Sequence, residues 1–152
     1  MTHGNSVTIA EGIKTLLDAA STGITATTAK RYGLPADTAV ITQAKAYGIA
    51  PLGGEYETAT LYGPTHKTKW TYRFRLWAYA KPDPPTSAWQ AQQDACDLMD
   101  VLMGVLEDNH TLGGLVDDIS GGLFDYGYQE IQAGVYAATA EVTLTAVKYA
   151  DA

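Results

Sequence analysis

The sequence predicts an α+β fold: an antiparallel or mixed β-sheet of about five strands with two α-helices packed on one face. Three observations carry that expectation. Apolar residues recur at helical spacing in two separate stretches, from Ile9 and from Ala91. Side chains alternate with a period of two through Trp70–Ala78 and again through Ala138–Ala146. Glycine and proline punctuate the chain between these patterns, and the element order reads α-β-β-β-α-β-β.

The first helix is expected over Ile9–Ala20. Thr8 and Glu11 have capping-box spacing, and Ile9, Ile13, Leu16, Leu17 and Ala20 share a face. Met1–Val7 carries no pattern and reads as a flexible or partner-ordered end. Ser21–Pro35, rich in Thr, Ala and Gly, receives no assignment. Thr38–Tyr47 reads as a weak strand centred on Val40 and Ile41, ended by Pro51 and the Gly53-Gly54 pair.

A hairpin follows. Glu55–Tyr62 is its first strand, Gly63-Pro64-Thr65 begins the turn, and Lys69–Ala80 is the second strand. Trp70, Tyr72, Phe74, Leu76 and Ala78 point to the core. Thr71, Arg73, Arg75, Trp77 and Tyr79 point away. A solvated face seldom carries Trp77 beside Tyr79. Either another subunit or the chain's own helices must cover them.

Pro82, Pro84 and Pro85 then stop the strand, and Ser87, three residues before Gln90, caps a second helix of about five turns. Its apolar stripe is Ala91, Ala95, Leu98, Leu102 and Val105, widened by Met99 and Leu106. It exits through Asn109–Ile119. Leu123–Ile131 alternates again, with Phe124, Tyr126 and Tyr128 on one side, and Gly134 marks a turn. The last strand, Val135–Tyr149, sends Ala138, Ala140, Val142, Leu144 and Ala146 one way and Thr139, Glu141, Thr143 and Thr145 the other. It exceeds the usual five or six residues and is expected to reach past its own core to a neighbour.

At 152 residues the chain fits a single domain, 1–152, able to bury a core unaided. The lone Cys96 excludes an internal disulfide framework and fits a reducing compartment, where it reads as a small core residue. No apolar run approaches the ~20 residues that span a bilayer, and no export leader is recognisable. Ten basic and seventeen acidic residues leave a net charge of −7, which disfavours general nucleic-acid binding.

No catalytic constellation stands out, and no enzyme, cofactor or metal is expected. His3, His66 and His110 lack a second ligand at metal-binding spacing, and no nucleophile elbow, P-loop or dinucleotide fingerprint occurs. Gly113-Gly114 and Gly121-Gly122 read as turns. Asp117, Asp118 and Asp125 lack the ligand alternation of a calcium loop.

Charge is the more informative signal. Asp94, Asp97, Asp100, Glu107 and Asp108 line the second helix, the last two at a C-terminus where the macrodipole disfavours them. Lys67, Lys69, Arg73 and Arg75 gather on the hairpin. Those cations suit phosphates or the acidic stripe of another copy, and opposed patches on one chain permit head-to-tail rings.

The helix Ala95-Cys96-Asp97-Leu98-Met99-Asp100-Val101-Leu102, running into Asn109-His110-Thr111-Leu112-Gly113-Gly114-Leu115-Val116-Asp117-Asp118, resembles the tail terminator proteins of long-tailed bacteriophages. These are also called minor tail or tail completion proteins. The aromatic hairpin and the Thr/Val-rich last strand are similar to that family too, so the resemblance covers roughly Glu55–Tyr149. It implies a structural virion protein, assembled in the host cytoplasm, whose hexameric ring caps the head-proximal end of the tail tube. Such a ring ends tube polymerisation and joins the head connector or head-completion protein, with DNA only as cargo through its lumen and no membrane partner.

The expected subunit interface is Arg73, Arg75, Trp77 and Tyr79 with Glu141, Thr143 and Thr145 of the last strand. The expected contacts to adjacent rings are the loops carrying His66, Lys67 and Lys69, and Gly113, Gly114, Asp117 and Asp118. The alternatives are a neck ring of the same particle, a small-ligand domain, or a nucleic-acid module stacking bases on Trp70 or Trp77.

Overall fold

A computed structural model describes residues 4–19, 45–58, 67–81, 88–132 and 135–151. Its elements are α1 (Gly4–Ala19), β1 (Lys45–Thr58), β2 (Lys67–Ala80), α2 (Ala88–Asp108), a 3-10 turn at Leu112–Gly114, β3 (Asp118–Gln132) and β4 (Val135–Asp151). Among the described residues the sheet has four strands in the order β1-β2-β4-β3, every neighbouring pair antiparallel. The protein is an α+β fold with both helices on one face of an antiparallel sheet.

The core is the layer between that face and the helices. From the sheet come Tyr47, Ile49, Tyr72, Phe74, Leu76, Ala78, Ala140, Val142, Leu144 and Ala146; from α1, Ile9, Ala10, Ile13 and Leu17. The α2 stripe contributes Ala91, Ala95, Leu98, Met99, Leu102 and Leu106, all buried. The small residues Ala138, Ala140 and Ala146 on β4 let α2 approach the sheet closely, and each is 0% exposed.

Four boundaries differ from expectation. Gly4–Val7 is already helical, so Thr8 and Glu11 lie inside α1 and do not cap it. The added turn itself packs little, with Val7 52% exposed, whereas Ile9 and Ala10 just after it are buried. Pro51 and Gly53-Gly54 do not end a strand: β1 runs through them with a bulge between Pro51 and Gly53. An edge strand tolerates proline because its outward N–H has no partner to lose. Gly121-Gly122 is likewise not a turn but a bulged part of β3, which starts at Asp118, ahead of the expected Leu123. The expected strand segment Thr38–Ala44, the hairpin turn at Gly63–Thr65 and the Ser87 cap lie outside the described residues.

Candidate assembly surfaces

The outer face of β2 and β4 holds the residues expected to form the subunit interface. Cross-strand register sets Arg73 opposite Thr145, Arg75 opposite Thr143, and Trp77 opposite Glu141. The structure therefore brings the set together, but it also satisfies much of it internally. Trp77 and Tyr79 are 2% and 3% exposed within the single chain and share a small cluster with Ala50. The Trp77 indole N–H donates to Glu141 Oε2 at 3.1 Å, and the Arg75 guanidinium lies over the ring, 5.6 Å from its centroid. Neither ring offers itself as open surface.

Three of the four hairpin cations are also engaged. Arg73 bonds Glu55 at 3.0 Å, Lys69 lies 3.8 Å from Glu57, and Arg75 Nε lies 2.6 Å from Glu141 as an ion pair without a linear hydrogen bond. Exposed pairs such as the first two add about 0–1 kcal/mol. Their larger effect is to neutralise the patch that sequence alone reads as a phosphate or acid-binding face.

The second expected contact region is a turn stitched to the body. Asn109 Nδ2 caps the Val105 carbonyl at 2.9 Å, and the N–H groups of Gly114 and Val116 both bond the Thr111 carbonyl. Leu112, Gly113 and Gly114 take positive φ of 51°, 70° and 95°, conformations that suit the two glycines. Leu112 and Leu115 pack on the core and Val116 is buried. The Thr111–Val116 stretch is thus a plug packed against α1, with Gly113 and Gly114 left exposed at its tip. Asp117 accepts the Tyr149 backbone N–H at 2.6 Å, and Asp118, the first residue of β3, lies 3.1 Å from His110. Both acids therefore hold the turn to the sheet. Of the remaining expected residues, His66 lies outside the described residues and Lys67 opens β2.

Two surfaces escape sequence reasoning. On β3, Phe124, Tyr126 and Tyr128 pair with Val142, Ala140 and Ala138, which turns them to the helix side of the sheet. Yet they are 53%, 56% and 46% exposed. They sit past the cover of α2, at a sheet edge, and Tyr136 stacks on Tyr128 at 6.0 Å with planes 1° apart. A groove of about 260 Å³ between Met103, Leu106 and Glu107 of α2 and the Ile119–Phe124 part of β3 continues this row.

The other surface lies at the opposite edge, also on the helix side. Tyr56 stacks on Trp70 at 4.9 Å, and Trp70 on Tyr72 at 6.1 Å. With Ser6, Gly53 and Gly54 they line a slot of about 170 Å³. The Tyr72 hydroxyl is buried without a hydrogen-bond partner, a state that costs about 1–3 kcal/mol.

Elsewhere chemistry is sparse. Among the described residues no group of three or more His, Cys, Asp or Glu could hold a metal ion, and no helix is long and apolar enough to cross a membrane. Tyr47, buried under α1, donates its hydroxyl to Asp18. Burial, then the Asp18 hydrogen bond and the Asp18 charge, push this phenol far above its ordinary value of 10.0. The folded chain therefore holds the proton where the unfolded chain releases it. This stabilisation is complete below about pH 10 and is lost as pH climbs above it, by up to ~1.4 kcal/mol per unit. Urea unfolding from about pH 8 to pH 11 should show the decline, and Tyr47→Phe should flatten it.

The chain matches no family model and no curated protein.

Proposed function

We propose that this protein is a structural virion component whose ring caps the head-proximal end of a phage tail tube, ends its polymerisation and joins the head connector. The observation that carries this reading is architectural. Strands β3 and β4, 15 and 17 residues long, run beyond α2 and hold an aromatic row in solvent on the strand that is outermost among the described residues. Large exposed apolar rows of this kind mark protein–protein contact, and a chain with two unlike surfaces suits head-to-tail assembly. The resemblance of Ala95–Asp118 to tail terminators supplies the particle and the place within it. Paired hairpin cations favour a protein partner over DNA, which passes through the lumen as cargo.

Native mass measurement with negative-stain imaging of the purified protein tests this. The expected result is a closed ring with a central hole, six copies by the family resemblance. A monomer at about 100 μM, far above the Kd of stable assemblies, would sink the ring reading. A ring seen at the neck but away from the tube end would favour the head-completion alternative.

A further inference from the structure

Resting on the ring reading, we infer that neighbouring copies meet through the two surfaces the sequence did not disclose: the tyrosine row of β3 in one copy enters the Tyr56/Trp70/Tyr72 slot of the next. Four features of the fold lead there. Both surfaces lie on the helix side of the sheet, and they sit on its outermost strands among the described residues, β3 and β1. One is an aromatic row with Tyr126 and Tyr128 about half exposed; the other is an aromatic slot of about 170 Å³. The slot presents stacked ring faces, Tyr56 on Trp70 at 4.9 Å and Trp70 on Tyr72 at 6.1 Å. An incoming tyrosine supplies a ring that stacks on these faces and a hydroxyl that stays at the wet rim. The slot's own acid, Glu55, is paired with Arg73; of the charges beyond, exposed Glu107 borders the groove beside Phe124 and Lys148 stands opposite Trp70 on β4. Neither has an ion-pair partner among the described residues.

The geometry also sets how copies are offset. In the sheet register Tyr126 is level with Ala78, and Gly54 is level with Tyr72. Bringing row and slot together therefore shifts the neighbour by about 20 Å along the strands and by about one sheet width, ~19 Å, across them. Strands then lie at roughly 45° to the line joining copies, within the range that lets a tilted sheet close on itself. Simple translation leaves β1 of the neighbour antiparallel to β3. Because the contact joins unlike patches, it repeats around a ring and does not stop at a dimer.

A complementation experiment decides the matter. Tyr126→Glu/Tyr128→Glu spoils the row and Tyr56→Glu spoils the slot, all at exposed positions. Circular dichroism and thermal melting confirm that both variants fold. In sedimentation velocity each variant alone should lose assembly, with association weakened about 30-fold or more, as for a central aromatic anchor. Mixed together they should form a one-to-one heterodimer, since one intact row meets one intact slot and growth then stops. Self-association of the slot variant as a symmetric dimer would overturn the inference in favour of β3 pairing with itself. Rings that persist in both variants would overturn it while leaving the ring reading intact. A heterodimer from the mixture, with wild-type protein forming only open chains, would uphold the contact and remove the ring. A monomeric wild-type protein with no heterodimer in the mixture would overturn both.

Discussion

Trp77→Ala is expected to lower the stability of the folded chain by about 3–5 kcal/mol, the usual loss for a buried large aromatic. The ring is 2% exposed, so truncation leaves a cavity and exposes nothing new to a partner. It also removes the indole donor to Glu141 and the surface under the Arg75 guanidinium. The remaining Arg75–Glu141 pair then stands beside a void. With typical domain stabilities of about 5–15 kcal/mol, such a loss consumes a large share of the total. Urea denaturation of wild type and variant measures it directly. The alternative view, in which Trp77 faces a neighbouring subunit, expects folded but dissociated protein with an unchanged denaturation midpoint. The two outcomes separate cleanly when denaturation and sedimentation are run on the same sample.

That contrast shows what the sequence discloses and what it withholds. Alternation in β2 identifies Phe74 and Leu76 as core and Arg73 and Arg75 as the outer face, and the structure agrees. Periodicity says which residues share a face; it says nothing about what lies over that face. In sequence Trp77 and Tyr79 therefore read as a surface in need of a cover, and the chain itself supplies it. The same gap hides the β3 row, because the exposure of Phe124, Tyr126 and Tyr128 depends on where α2 stops covering the sheet.

Bulges account for the strand boundaries that differ. In β1 the core-facing residues are Tyr47 and Ile49 before the bulge, and Gly54 and Tyr56 opposite Tyr72 and Trp70 after it. One inserted residue moves the inward set from odd to even positions, so a single strand reads as two. In β3 the phase likewise changes between Ile119 and Phe124, which is why alternation becomes visible only from Leu123. The ion pairs Arg73–Glu55 and Lys69–Glu57 depend on that shifted register, so the neutral hairpin could not be foreseen from its composition. The motif Thr111–Val116 is legible as a turn but not as a plug. Its packing role needs α1, whose Gly12 would place a Cβ 2.8 Å from Leu115 Cδ2.

Gly54→Ala is expected to be the most damaging small substitution in β1. A Cβ at that position would stand 2.0 Å from the Thr71 carbonyl oxygen and 3.2 Å from Tyr72 Cα, both backbone atoms of the paired strand. A flexible side chain could swing aside, but a ladder carbonyl cannot move without breaking its own pairing. The cost should reach about 3 kcal/mol, the upper part of the range for overpacking. Gly53→Ala is the internal control. Gly53 has φ +102°, and a Cβ added there would meet nothing within 4 Å, so alanine suffers only backbone strain, about 1–2 kcal/mol. The consequence for assembly follows from position. Gly54 floors the slot whose walls are Tyr56, Trp70 and Tyr72, so prising β1 from β2 there opens the cavity and separates the Tyr56–Trp70 stack. Hydrogen exchange should therefore show faster exchange of the Gly54–Thr58 amides in Gly54→Ala, with β3 and β4 still protected. Sedimentation should show assembly lost while the tyrosine row remains competent to capture a neighbour's intact slot. Equal destabilisation by both glycine variants, or normal assembly of Gly54→Ala, would mean that the close approach of β1 to Thr71 neither limits the fold nor shapes the contact.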